Sequence, residues 1–350
     1  MGLGSHRAHP GAACAAELRD RGPQRDEPRS RGAAGEAFGV AAVFSHHDQL
    51  VAQPDIDVVV VTVKVPHHRE LVFAALAAGK AVYCEWPLGR NLEEARAMAA
   101  LGAEQGARTV VGLQARQAPA IEFVQQLLRE GYVGEVLSTT MVGLSVPGGV
   151  VGQPNAYMLD KANGANVLTI AVGHSLDTLN YVLGEFAGLS AVADLPLMTA
   201  QQTRAQIVKT SPDQIAVIGT LTSGATASLH VREAVAGGTG FLWEINGTDG
   251  TLRITADAAL PEIFPLTVAG ARGRAEPAVL AIPPELTGKW PALTSLEGAP
   301  AYNVGRAYAA FGADIDNGTR TVPDFADAVR RHEVIAAIER SAASGERVTV

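Results

Sequence analysis

From Asp57 to Val63 the chain reads Asp-Val-Val-Val-Val-Thr-Val, a β-branched run with apolar side chains on both faces. A parallel strand covered by helices on either side has that pattern. Leu71, Phe73, Ala74, Ala77 and Ala78 then recur at helical spacing over 67–78, and Gly79 ends the run. A strand is predicted at 81–84. Asn91 with Glu94 three residues on has the spacing of a capping box and opens a helix through Ala103. A third strand follows at 108–113. Strand, helix, strand, helix, strand at these intervals predicts a parallel, doubly wound sheet.

The pattern changes near residue 135. Leu137 to Leu144, Gln214 to Thr220, Ala225 to Val231, Phe241 to Ile245 and Thr251 to Thr255 alternate, with turn signals at 222–224 and 247–250. That predicts a meander-like antiparallel sheet, accompanied by helices at 118–130, 165–184, 301–317 and 324–343. The expected fold class is therefore α/β in two domains. Residues 1–118 form a Rossmann-like parallel-sheet domain with a degenerate N-terminus. Residues 119–350 form an α+β domain on a large, open, mainly antiparallel sheet. No internal repeat is evident.

Residues 19–32 do not fit this scheme. They carry five arginines, two prolines and no large apolar side chain, so they cannot form a buried strand. A dinucleotide fold needs an apolar strand feeding a glycine-rich turn, so that backbone N–H groups meet the pyrophosphate. Gly2 and Gly4 occupy the first two positions of G-x-G-x-x-G, and Arg7 stands at the third. No strand precedes Gly2, and the arginine tract lies where the second strand belongs. The expectation is a lost first strand and a replaced second one, by a displaced start, a frameshift or decay, with 1–32 aberrant and nucleotide binding weak.

Composition narrows the classes. Hydrophobic residues are 47% and charged residues 18% of 350, ordinary for two soluble domains. A net charge of -8 argues against nonspecific binding to nucleic acid. Cys14 and Cys84 make neither a disulfide framework nor a metal spacing, and no metal is expected. No apolar run is long enough to span a membrane, and the first thirty or so residues lack the apolar core of a secretory leader. A cytoplasmic protein is expected.

Candidate chemistry sits in four stretches. Thr62-Val-Lys64-Val-Pro66-His67-His68 follows the first strand, where Lys64 can reach a phosphate or ribose, or Pro66 and the histidines simply start a helix. Tyr83-Cys84-Glu85-Trp86-Pro87 closes the second strand; Trp86 offers a stacking face or wedges between domains. Gln114-Ala-Arg116-Gln-Ala-Pro119 resembles a segment that crosses between domains, with Arg116 touching substrate or pairing with an acid at the hinge. Gly164-Ala165-Asn166 runs to Gly173-His174-Ser175-Leu176-Asp177, where His174 is a base or a structural histidine.

Together these motifs, with the tail from Asn317 to Ala328, resemble the glucose–fructose oxidoreductase/inositol dehydrogenase (Gfo/Idh/MocA) family over roughly residues 33–350. The likeness is to its branch that is similar to the fungal galactose-pathway repressor. The common family motif Glu-Lys-Pro reads Glu85-Trp86-Pro87 here, and the proline is expected to be cis. The resemblance implies NAD or NADP as cofactor, held by Gly2, Gly4, Thr62, Lys64, Pro66, His68, Glu85, Trp86, Pro87 and Gln114. It implies Arg116, Tyr157, Lys161, Asn163 and His174 at the substrate. Catalysis would fall to His174, with Trp86 and Thr169, the latter standing where active members carry an aspartate.

The activity implied is hydride transfer between a nicotinamide and a sugar, cyclitol or derivative. A non-catalytic nucleotide- or sugar-sensing regulator and a damaged pseudoenzyme are the alternatives. The expected partners are a sugar-like small molecule and further copies of the chain, as a dimer or tetramer through the open sheet. No direct nucleic-acid contact and no membrane are expected.

Overall fold

The computed structural model describes residues 42–145, 153–194, 209–233 and 237–350. Gly2, Gly4, the arginine tract and the expected loss of two strands lie outside the described residues. Three parallel strands form the first sheet in the order β1 (Val58–Val61), β2 (Ala81–Glu85), β3 (Thr109–Gly112). Helix α1 (His47–Val51) precedes them, and α2 (His68–Ala77) and α3 (Leu92–Glu104) alternate with them where the apolar pattern places them. The capping box is half as expected. Asn91 Oδ1 accepts the Glu94 N–H at 3.0 Å, but the Glu94 carboxylate turns to the N–H and guanidinium of Arg90. A charged donor holds a carboxylate more strongly than a backbone amide does.

The second sheet has nine strands in the order β11-β10-β9-β8-β4-β7-β6-β5-β12. These are β4 (Val136–Leu144), β5 (Phe186–Asp194), β6 (Gln214–Leu221), β7 (Thr226–Arg232), β8 (Phe241–Gly247), β9 (Gly250–Ala256), β10 (Thr267–Arg272), β11 (Ala278–Val279) and β12 (Val348–Thr349). It is mainly antiparallel but not a plain meander. Strand β4 inserts between β7 and β8, parallel to the first and antiparallel to the second. Buried Thr139 helps fix that position by accepting from Trp243 Nε1 at 2.8 Å and donating to Glu244 O at 2.9 Å. Alternation records which face of a strand is buried, not which strand lies beside it.

Helices α4 (Pro119–Arg129), α5 (Gly173–Leu183), α6 (Pro284–Thr287), α7 (Tyr302–Asn317) and α8 (Phe325–Ser344) complete the described elements used below. A π turn over Leu168–Val172 leads into α5. The last two long helices return to the parallel sheet. Ala307, Ala310 and Phe311 of α7 pack with Tyr83 and Val110, and Val111 N–H donates to Pro323 O at 2.9 Å. Asp324 caps α8 by accepting from Ala326 and Asp327, whose carboxylate accepts from Asp324 N–H in return. The main core runs from Val82 through Trp86 and Val172 to Trp243 and Ile338, so both sheets share one apolar interior.

Trp86 is the wedge in that interior. A Cβ at Gly173 would stand 2.6 Å from its Nε1 and 2.9 Å from Cζ2, and the ring centre lies 4.8 Å from that of His332. A rigid indole boxed in this way cannot yield. Gly173→Ala is therefore expected to cost about 1–3 kcal/mol, as overpacking does, read as a lower urea midpoint with an unchanged slope.

Candidate active site

Because β1, β2 and β3 are parallel, Thr62, Glu85-Trp86-Pro87 and Gln114 share one sheet edge. Ligands bind at the carboxyl ends of such strands. Thr62 is exposed there. Pro66 lies in the 3-10 turn Val65–His67, which Lys64 precedes in extended conformation. Lys64 Nζ sits 4.8 Å from the ring centre of Tyr157, so a residue expected at the nucleotide meets one expected at the substrate. The Trp86–Pro87 peptide is cis, as the resemblance implies.

His68 is buried, and burial lowers its imidazole below the usual range. Its Nε2 lies 2.9 Å from Val63 O, and Nδ1 lies 3.0 Å from Pro87 O and 3.3 Å from Cys84 Sγ. It ties the loop after β1 to the loop after β2, which sets the edge geometry. Burial pushes the Glu85 carboxyl up to about 7 against a hydrogen bond with Gln114, whose own Oε1 has no partner.

Arg116 is fully committed within the protein. Its Nε and Nη2 donate to Asp177 at 2.9 and 2.6 Å, and Nη1 donates to Asp327 at 3.2 Å. Burial opposes its charge, but Asp177 and Asp327 hold it above its ordinary value. Arg331 of α8 reaches the same Asp177, with Nε 3.8 Å from Oδ1, and donates to Asn180 and Glu185. Of the two readings of Arg116, this geometry is that of a hinge pair.

The loop before α5 shows a similar division. Asn163 Nδ2 donates to Tyr157 O at 2.8 Å and shapes the loop, while Lys161 is exposed. Gly164, at φ 68°, brings its Cα against Arg90, where a Cβ would lie 2.2 Å from Arg90 Cα. Only glycine fits both that conformation and that approach.

Two expectations change in detail. Thr169, expected beside His174 in the catalysis, turns its hydroxyl to Asn166 instead, donating to Asn166 O at 3.2 Å and accepting from Asn166 N–H at 2.9 Å. Trp86 does not present a free face. It is 6% exposed, and its Nε1 donates to Thr169 O at 2.7 Å. An indole buried between two lobes satisfies its one donor on the backbone it packs against.

His174, in the first turn of α5, is buried with Nδ1 unpartnered. Burial lowers the imidazole to about 4, although the Asp177 charge pulls the other way. The residue missed by sequence reasoning is Glu262, whose Oε1 lies 3.7 Å from His174 Nε2. Burial pushes its carboxyl up to about 8, helped by nearby Glu85 and opposed by its own backbone N–H. Asn303 of α7 donates to Glu262 O at 3.0 Å and lines a cavity of about 130 Å³ at the hinge, with Pro119, Phe264 and Tyr302. The available signal was a single charge within the apolar run Ala258–Leu266.

Residues 17–113 match the oxidoreductase family, NAD-binding Rossmann fold, and residues 119–256 match the C-terminal domain of Gal80p. The dehydrogenase aclE of Aspergillus oryzae is 31% identical over 332 residues, 91% of this chain and 86% of that protein. The chain belongs to the Gfo/Idh/MocA oxidoreductase family. The galactose/lactose regulatory protein of Kluyveromyces lactis is 28% identical over 65% of this chain but only 54% of its own length. Levoglucosan dehydrogenase, solved with NADH and levoglucosan, superposes with a TM-score of 0.79 at 25% identity, covering 92% of this chain and 87% of that one. Among the described residues no helix is long and apolar enough to cross a membrane.

Proposed function

We propose that this Gfo/Idh/MocA chain is an NAD(P)-dependent oxidoreductase acting on a sugar, cyclitol or related alcohol. The observation that carries the reading is His174: a neutral, buried imidazole with an unpartnered nitrogen, on the helix that packs directly on the Glu85-Trp86-Pro87 edge. An imidazole held below its usual range is unprotonated at neutral pH and can accept an alcohol proton.

Thr62, Lys64, Pro66, Glu85 and Gln114 would hold the nucleotide on the strand ends, and the bound nicotinamide supplies the hydride acceptor. Tyr157 and Lys64 close one side of the cleft, with Lys161 and Asn163 on the adjoining loop. His68 and Pro87 set the edge, and Trp86 keeps the α5 backbone at a fixed distance from it. Arg116 contributes rigidity rather than substrate contact. The same reading includes self-association through the open sheet face, where Val192 and Ile218 are exposed on adjacent, in-register strands.

A second reading draws on the Gal80p-like match over 119–256 and on Trp86 and Thr169, which lack the ammonium and carboxylate of active members. It makes the chain a nucleotide or sugar sensor. A panel of sugars and inositols with NAD+ and NADP+, followed by nicotinamide absorbance and by calorimetry, separates the two. Reduction of the nucleotide is the expected result. Nucleotide binding without turnover would establish the sensor, and no binding at all would leave only a damaged scaffold.

A further inference from the structure

His174 has lost the carboxylate that its role requires one helical turn earlier, since positions 169 and 170 are Thr and Ile. Asp177, on the same helix, is held by Arg116 and approached by Arg331. Among the described residues, the carboxylate within ion-pair distance of the imidazole is Glu262, on the loop after β9, at 3.7 Å. The two side chains are 6% and 2% exposed, and His174 Nδ1 and Glu262 Oε2 are both buried and unpartnered. The Glu262 backbone is itself anchored, with its carbonyl held by Asn303 of α7.

We propose that Glu262 is the positioning residue for His174, supplying from the sheet domain the carboxylate that α5 lacks. In the active form Glu262 is ionised against Nε2, where it holds the ring and stabilises the positive charge that forms when His174 takes the alcohol proton. The imidazole would take the alcohol proton, and a bound oxidised nicotinamide nucleotide would supply the acceptor for the carbinol hydride. The resulting imidazolium faces a carboxylate, so the buried pair ends neutral rather than bearing a lone positive charge. The contact is longer than a hydrogen bond, as such pairs often are before substrate binds.

The charged neighbours set the direction of the pH dependence. Glu85 opposes ionisation of Glu262, Tyr308 faces Glu85, and Asp177 is neutralised by Arg116. Burial pushes the Glu262 carboxyl up to about 8, so alcohol oxidation is expected to rise on the alkaline side of neutral.

The catalytic half of this inference rests on the oxidoreductase reading; the contact itself does not, and NMR tests it without turnover. In protein labelled with 15N-histidine, the His174 ring nitrogens are expected to show a step on the alkaline side in the wild type. Glu262→Gln, similar in volume and neutral, should abolish it, and Glu262→Asp should retain it. No step, or the same step in Glu262→Gln, overturns the pairing even if the chain proves to be an active dehydrogenase. With a substrate in hand, Glu262→Gln should lower kcat on the order of 10²-fold, the lower end of what acid–base assistance contributes. KM should stay within about twofold, the rise in rate with pH should disappear, and Glu262→Asp should recover part of the rate. An unchanged kcat and pH profile would overturn the positioning role.

Discussion

Replacing His174 by alanine is expected to lower kcat on the alcohol substrate by on the order of 10²–10⁴-fold, the contribution of a positioned acid–base group. Nucleotide affinity should stay nearly constant, because the strand-end residues Thr62, Glu85 and Gln114 are untouched. The magnitude follows from geometry. The imidazole is buried, and alanine supplies no group to take the alcohol proton in its place. The expected direction is also specific. An imidazole lowered to about 4 is unprotonated at pH 7, ready for oxidation, whereas carbonyl reduction needs it charged and should be favoured toward lower pH. Steady-state kinetics of the variant in both directions, by nicotinamide absorbance, check the prediction; an unchanged kcat would remove His174 from the chemistry.

The largest effect on stability is expected at Asp177. It is 1% exposed, bonded twice to Arg116, and approached by Arg331, which is 2% exposed. Asp177→Ala leaves two guanidinium groups short of a partner in a medium that solvates charge poorly. Breaking a buried pair from one side costs about 3–5 kcal/mol. At roughly 2–4 °C per kcal/mol for a domain of this order of size, Tm should fall by roughly 10 °C. The surface pair Arg96–Glu333 is the control, since Glu333→Ala should change stability by less than about 1 kcal/mol. Calorimetric unfolding of both variants gives the comparison. Similar losses at the two sites would mean that the Asp177 network is not what joins the crossing segment, α5 and α8.

The same network explains why the sequence read Arg116 two ways. Its acceptors lie 61 and 211 residues away, at Asp177 and Asp327, and no local spacing connects them. Trp86 is a parallel case. Its neighbours in sequence announce a strand end and a cis proline, but whether the indole stacks on a ligand depends on Thr169, Gly173 and His332. Thr169 could be placed on the helix approach but not assigned its partner, because the choice between Asn166 and His174 is made by the π turn. Glu262 escaped notice altogether. No motif marks it, and only folding brings it to His174.

What the chain encodes locally was legible. Burial of both faces marks β1, helical spacing marks α2 and α3, and Asp324 marks the start of α8, since each depends on residues within a turn or two of one another. The family could be recognised for the same reason, from contiguous motifs at strand ends. Strand order in the nine-stranded sheet, the return of α7 and α8 to the parallel sheet, and the meeting of His174 with Glu262 were settled by tertiary structure alone. These depend on which buried surfaces and charges find each other across long separations, and that is a matter of shape and pairing energy that periodicity along one strand or helix does not record.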